Sequence, residues 1–246
     1  MTPDLVVDIG NTRVKWGRCR ADAIVDAASL RHDVADWHDQ ATKWAGLPTP
    51  ATWVISSVVP KTLDLFMEWL GLRGDRWEIV SNHEQIPIRV DVDDAKTVGR
   101  DRLLGALAAQ HLFPKQRLLV IDAGSAVTVN LVDDSFRGGA IFPGLGMLSR
   151  SLHEFTAKLP LVSLTEPIAF PGRDTAAAIR SGLCSVLGGV VERIAKSASP
   201  DQLVLTGGDG SLLDQLIGGP WPRRYEPLLT LFGLLIAARP MPGRHG

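Results

Sequence analysis

The chain has 246 residues, 26 Lys and Arg against 27 Asp and Glu, a net charge of −1 at pH 7 and 45% hydrophobic residues. That balance offers no broad basic field for nucleic acid or an anionic membrane, so any polyanionic ligand must be gripped by a local site. The apolar share is enough for one large core or two modest ones.

The N-terminus runs straight into an apolar strand, without the basic region and long apolar stretch of a signal peptide, which fits a cytoplasmic protein. The two cysteines, Cys19 and Cys184, match no disulfide or zinc spacing and are expected as small buried hydrophobes. In "LVVDIGNTRVKW" (5–16), an apolar strand ends in Asp8, turns through Gly10 and resumes with alternating residues, the pattern of a β-hairpin. Two readings of Asp8 stand side by side. With the N–H groups of the Gly-Asn-Thr turn it could hold a hydrated divalent cation while the loop cradles phosphate oxygens, Arg13 or Lys15 adding positive charge. Alternatively the carboxylate only hydrogen-bonds its own turn. The loop is not a Walker A motif.

Pro and Gly signals at 46–50 read as a loop before the strand "ATWVISSVV" (51–59). "KTLDLFMEWLGL" (61–72) follows as a helix with Pro60 near its first turn, and the preceding serines either line a cleft or cap that helix. Trp37, Trp44, Trp53 and Trp69 have spacings suited to packing and lack basic interleaving, so they are expected in the core and its rim. "WEIV" (77–80) is another strand, and Asp93 and Asp94 form a turn. In "KTVGRDRLLGALAAQHL" (96–112), Gly99 to Arg102 open an amphipathic helix with Leu103, Ala106 and Leu107 toward the core. Asp101 falls in its first turn, where the macrodipole favours a carboxylate. It is either a capping residue with an Asp–Arg surface pair, or a general base for a substrate hydroxyl with Arg102 orienting it.

From residue 118, "LLVIDAGSAVTVNLV" repeats the opening hairpin and sets Asp122 in the place of Asp8. A duplication explains the echo, with halves 1–115 and 116–246. Ser125 and Thr128 add hydroxyl donors there, and two such hairpins facing each other would form a nucleotide clamp. Loops are expected at 143–146 and 218–222, with a long helix at "TAAAIRSGLCSVLGGVVERIAK" (175–196) between them. A third glycine turn, "LTGGDG" (205–210), joins the strand "QLVLTGG" to the helical "SLLDQLI"; Gly207 and Gly208 let a backbone approach a base or phosphate, or simply make a strand-to-helix turn. "LLTLFGLLIAA" (228–238) is half the length needed to span a bilayer and reads as a buried helix. His32, His38, His83, His111 and His153 form no metal-ligand spacing and are expected on the surface or in turns. Glu154 reads as a solvated helix residue. Strands interleaved with helices make this an α/β protein with mixed sheets.

Taken in order, "DIGNTRVKW", "VGRDRL", "DAGSAVT", "GGAIFPGLGM", "GRDTAAAIRSG", "LTGGDG" and "YEPLLTLFGLL" resemble the type III pantothenate kinases over nearly the whole chain. The resemblance implies two duplicated ribonuclease H-like halves around a nucleotide cleft, as in the acetate and sugar kinase, Hsp70 and actin group. It implies ATP-dependent phosphorylation of pantothenate to 4'-phosphopantothenate, the first step of coenzyme A synthesis. Mg2+, a monovalent cation (K+ or NH4+) and a homodimer are implied with it. By motif, Asp8, Ile9, Gly10, Asn11, Thr12, Arg13, Val14 and Lys15 form the first phosphate loop, with Asp8 organising magnesium. Asp101 is the base, and Gly99, Arg100 and Arg102 lie beside pantothenate. Asp122 corresponds to the monovalent-cation ligand, Ser125 to an ATP contact, and Thr175 to a pantothenate contact. Gly207 and Gly208 stand on the nucleotide side.

Three positions depart from the family pattern. Arg100 replaces the usual alanine, Ser125 the usual threonine, and Val92 a tyrosine of the acceptor pocket. Those on the acceptor side leave a different small hydroxylated acceptor, or a non-catalytic regulatory homologue, as alternative expectations.

Overall fold

A computed structural model of the chain describes residues 3–44, 47, 50–163 and 169–239. Of the loop expected at 46–50, Gly46, Pro48 and Thr49 lie outside the described residues. The chain forms two compact units, one running to Pro114 and resuming at Leu228, the other comprising Lys115–Pro227.

The first unit holds β1 (Leu5–Ile9), β2 (Val14–Arg20), β3 (Ala23–Leu30), α1 (Val34–Lys43), β4 (Thr52–Ser57), α2 (Pro60–Arg73), β5 (Arg76–Ile79), α3 (Arg100–Leu112) and, after the second unit, α7 (Leu229–Ala237). Its sheet has the order β3-β2-β1-β4-β5. β1 pairs antiparallel with β2 and parallel with β4, as the expected hairpin and crossover require. Alternation along β1 sends Leu5, Val7 and Ile9 into a core with Trp16, Trp37, Trp44, Trp53, Phe66 and Trp69. Trp16 lies at its centre, 5.0 Å from the Trp53 ring centroid and nearly perpendicular to it, the edge-to-face arrangement that aromatic quadrupoles favour. Pro60 occupies the start of α2 and Gly74, at φ 71°, ends it. Asp75 is tied beneath this core: it accepts from Ala51 N at 2.9 Å, Trp53 Nε1 at 2.9 Å and Arg73 Nε at 2.8 Å.

The opposite face of this sheet is covered by α7, and α3 packs on α7. α3 is therefore not the amphipathic helix expected: Leu103 to Ala109 are all buried, because the helix is enclosed on more than one side. Gly233 of α7 makes that approach possible, since a Cβ there would lie 2.0 Å from the Leu104 carbonyl oxygen. The same packing corrects the expected second half, 116–246: its C-terminal helix is buried as foreseen, but within the first unit.

The second unit contains β6 (Leu118–Ala123), β7 (Ala126–Val132), β8 (Phe136–Pro143), α4 (Leu145–Glu154), α5 (Thr175–Ala198), β9 (Gln202–Thr206), α6 (Gly210–Leu216) and β10 (Arg223–Tyr225). Its sheet order, β10-β9-β6-β7-β8, is the first sheet's order read in reverse, with the same antiparallel and parallel pairings about the central strand. Leu119, Ile121 and Ala123 meet Ile179, Leu183, Leu187 and Val191 of α5 in one core. The α/β duplication read from the two hairpins is the observed architecture. Of the cysteines, Cys184 is buried but Cys19 is only half-buried, its thiol pushed up to about 12 chiefly by that burial.

Candidate active site

Asp8 is the penultimate residue of β1 and only 7% exposed. Its register partners are Lys15 on β2 and Ser56 on β4. Because Val7 and Ile9 point into the tryptophan core, Asp8, Lys15 and Ser56 share the other face of the sheet. Beyond Ile9 the Gly10 N–H donates to the Arg13 carbonyl at 3.0 Å, closing a four-residue turn that leaves Asn11, Thr12 and Arg13 exposed.

The start of α3 is fastened to the same end of the sheet. Arg100 donates to the Ser57 carbonyl through Nη2 and to the Ser81 carbonyl through Nη1, the latter at 2.7 Å. Ser57 is the register partner of Ile9, so these bonds bring Gly99 to Arg102 to the edge where Asp8 and its loop lie. Asp101 sits in the first helical turn, half-buried, and its Oδ1 accepts the Arg102 N–H at 2.9 Å. A Cβ on residue 99 would lie 2.5 Å from that oxygen, so Gly99 leaves the carboxylate its room. Burial pushes the Arg102 guanidinium below its ordinary pKa, and the charge of Asp101 acts in the opposite direction. Val92 is half-buried in the segment leading to α3.

The second unit repeats the arrangement with other side chains. Asp122 pairs in register with Thr128 on β7 and Thr206 on β9. Its loop is one residue shorter: Ala123 pairs with Val127, and Gly124 N–H donates to the Ala126 carbonyl at 3.1 Å. Ser125 is exposed in that loop, and its carbonyl accepts from Gly144 N at 3.0 Å, at the start of α4. After β9 the chain turns at Gly207, whose φ is 89°. A Cβ there would fall 2.4 Å from both the Ala123 carbonyl oxygen and Asp122 Oδ1. Gly208, by contrast, is exposed and has open space around its missing Cβ. Tyr225 Oη donates to the Gly207 carbonyl at 3.1 Å, and Asp209 N–H to the Ala123 carbonyl at 2.9 Å. Burial raises the pKa of the half-buried Asp209 carboxyl. Thr175 is the exposed first residue of α5, beside Asp174, which caps the helix by accepting from Ala177 N at 2.7 Å.

Thus the first unit gathers Asp8, the 10–15 loop and Gly99 to Arg102, and the second gathers Asp122, Ser125, Gly207 and Gly208. The two serines that end β4 divide: Ser57 Oγ bonds with the Val59 backbone in a local turn, without a side-chain cap on α2, whereas Ser56 faces the Asp8 side. Tyr225, Asp209 and Gly144 support the second cluster without having been foreseen in that role; only the glycine in "FPGLGM" hinted at a close approach. Among the described residues no three His, Cys, Asp or Glu gather as a metal cage. His38, His111 and His153 are exposed as expected, while His83, in a short turn, and His32, against the Thr62 hydroxyl at 2.9 Å, are half-buried. A single buried carboxylate beside a turn of backbone N–H groups nevertheless suits Mg2+, which retains waters and shares itself between one or two carboxylates and substrate phosphates.

A family model described as type III pantothenate kinase matches residues 4–197. A type III pantothenate kinase of Flavobacterium johnsoniae is 32% identical over 216 residues, 85% of this chain and 87% of that protein. One from Alkalilimnicola ehrlichii is 32% identical over 248 residues, 96% and 97% of the two chains. Among solved structures, the polyphosphate/ATP-glucomannokinase of an Arthrobacter species superposes with a TM-score of 0.51 at 13% identity, covering 96% of this chain and 98% of that one. The (R)-2-hydroxyglutaryl-CoA dehydratase component A of Acidaminococcus fermentans gives a TM-score of 0.54 at 16% identity, covering 97% and 96%. At such identities the structural likeness speaks for the fold alone.

Proposed function

The chain belongs to the type III pantothenate kinase family, and from that membership we propose that it transfers the γ-phosphoryl group of ATP to pantothenate, giving 4'-phosphopantothenate at the first step of coenzyme A synthesis. The observation that carries the reading is the register of Asp8 and Asp122 at equivalent strand positions in two like-ordered sheets, with the α3 turn bearing Asp101 fastened beside Asp8.

Phosphoryl transfer asks of a protein mainly positioning and stabilisation of charge. In this reading Gly10 to Arg13 offer backbone N–H groups to phosphate oxygens, and Lys15 places its ammonium on the face where Asp8 lies. Asp8 holds Mg2+, which when bound neutralises the β- and γ-phosphate charge. Ser125 and the Gly207-Gly208 turn contact the nucleotide, and Asp122 serves a monovalent cation, K+ or NH4+. Asp101 accepts the proton of the acceptor's primary hydroxyl, while Gly99 and Arg102 face pantothenate, with Val92 forming an apolar part of that wall. Arg100 enters as the strut of the wall, because its guanidinium is directed to two main-chain carbonyls. That engagement favours pantothenate over an acceptor needing an added charge.

The protein works in this reading as a cytoplasmic homodimer, Thr175 meeting pantothenate across the interface. The exposed Phe155, Leu161 and Phe170 of the stretch joining α4 to α5 support the second-copy contact. A coupled assay with ATP, Mg2+ and K+ tests the function: pantothenate-dependent ADP release is expected, and none at saturating salts would overturn it. Asp101→Asn should lower kcat by about 10²- to 10⁴-fold, the usual share of a general base, with the melting temperature unchanged. Near wild-type turnover would remove Asp101 from the role.

A further inference from the structure

We propose that Ser56 is a positioning residue for Asp8: its hydroxyl is held in reserve within the sheet and donates to the Asp8 carboxylate when the site takes up Mg2+ and nucleotide. Ser56 is fully buried, and its Oγ finds no hydrogen-bond partner among the described residues. Buried hydroxyls are nearly always satisfied, and one left without a partner points to a state of the site in which it has one. The strand register says where that partner lies. Ser56 stands directly opposite Asp8 across the β1–β4 ladder, on the face away from the tryptophan core. Its neighbour Ser57 is the one engaged in a local turn.

The second unit provides another instance of the same station. Thr206, 2% exposed, pairs with Asp122 across the β6–β9 ladder as Ser56 pairs with Asp8. Both units thus place a small hydroxyl residue beside the strand-end aspartate, on the parallel neighbour and just before the chain leaves the sheet. A residue chosen only for packing would serve as well as alanine or valine, and Val54 fills the equivalent interior position two residues earlier. The hydroxyl is the group that needs explaining.

The inference rests on the kinase reading for its nucleotide, and its test separates the two. Ser56→Ala removes the unpartnered hydroxyl, so the ligand-free protein should melt at or above the wild-type temperature. Calorimetric binding of a non-hydrolysable ATP analogue with Mg2+ should weaken about 10- to 100-fold, the worth of one hydrogen bond to a charged group. That loss should vanish when Ser56→Ala is made in an Asp8→Asn background, since the hydroxyl acts through Asp8. Unchanged binding of the Mg2+ nucleotide would overturn the proposal. So would a loss that merely tracks a lowered melting temperature, or one equally large in the Asp8→Asn background. A wild-type protein that binds the nucleotide but leaves pantothenate untouched would instead count against the kinase reading.

Discussion

The neighbouring glycines Gly207 and Gly208 should respond in opposite ways to the same substitution. At Gly207 an alanine must adopt φ near 89°, outside the region open to L-residues. Holding a non-glycine residue in left-handed backbone costs about 1–2 kcal/mol. Its Cβ would also arrive 2.4 Å from the Ala123 carbonyl oxygen and Asp122 Oδ1. The carboxylate can swing aside but the carbonyl belongs to β6, and overpacking of this kind costs about 1–3 kcal/mol. Gly207→Ala should therefore lose about 2–5 kcal/mol in urea unfolding; on the proposal that Asp122 serves a monovalent cation, moving it should also raise the K+ concentration needed for half-maximal turnover. Gly208→Ala meets nothing within 4 Å and should stay within about 0.5 kcal/mol of wild type. If Gly208 approaches the nucleotide, its variant will show a higher KM for ATP at unchanged stability. Equal stability of the two variants would refute the reasoning for Gly207.

Asp75→Ala should destabilise the first unit by about 3–5 kcal/mol, because it strands Arg73 Nε, Trp53 Nε1 and Ala51 N around a fully buried carboxylate position. Chemical denaturation measures this, and a loss under 1 kcal/mol would show that water replaces the carboxylate (about the worth of one ordinary hydrogen bond). Asp209 titrates in the other direction from a salt-bridged acid. Burial raises its folded-state pKa above the ordinary 3.8, so ionising it favours the unfolded chain and stability falls as pH rises through the interval above 3.8. Asp209→Asn should accordingly be at least as stable as wild type at neutral pH, with its advantage gone below the ordinary carboxylate range. An advantage that grows towards acid pH would contradict that sign.

The features legible in the sequence were those with a strong local pattern. Asp8 and Asp122 each follow an apolar run and precede a glycine, which identified both hairpins and the duplication. The tryptophans gave the first core. β3 has no legible signal because "AIVDAASL" is a largely exposed edge strand with no sustained alternation, and β10 none because its three residues, "RRY", are all exposed. α1 lacks an extended apolar stripe, burying only Trp37, while β8 was obscured by the glycines of "RGGAIFP". The return of α7 to the first unit depends on one interhelical glycine, Gly233, and helix-helix partnership has no signature in a single sequence. The direction of Arg100 was hidden for a similar reason. Its partners are main-chain carbonyls at 57 and 81, positions that any residue could fill.

The two sheets offer the same stations, yet fill them with different charges. Around Asp8 the register neighbours are an ammonium and a hydroxyl, Lys15 and Ser56; around Asp122 they are two hydroxyls, Thr128 and Thr206. A carboxylate beside a lysine can organise a hydrated divalent ion while the lysine attracts the phosphate it accompanies. A carboxylate flanked by neutral oxygens keeps an acceptor-rich environment suited to a weakly hydrated monovalent cation. The first loop, one residue longer, exposes Asn11 to Arg13, whereas the second is drawn under the start of α4 by the Gly144–Ser125 bond. Duplication thus explains where the aspartates stand, and the residues opposite them on the neighbouring strands give each a different charge environment, which supports the proposed division of magnesium and phosphate to the first copy and a monovalent cation to the second.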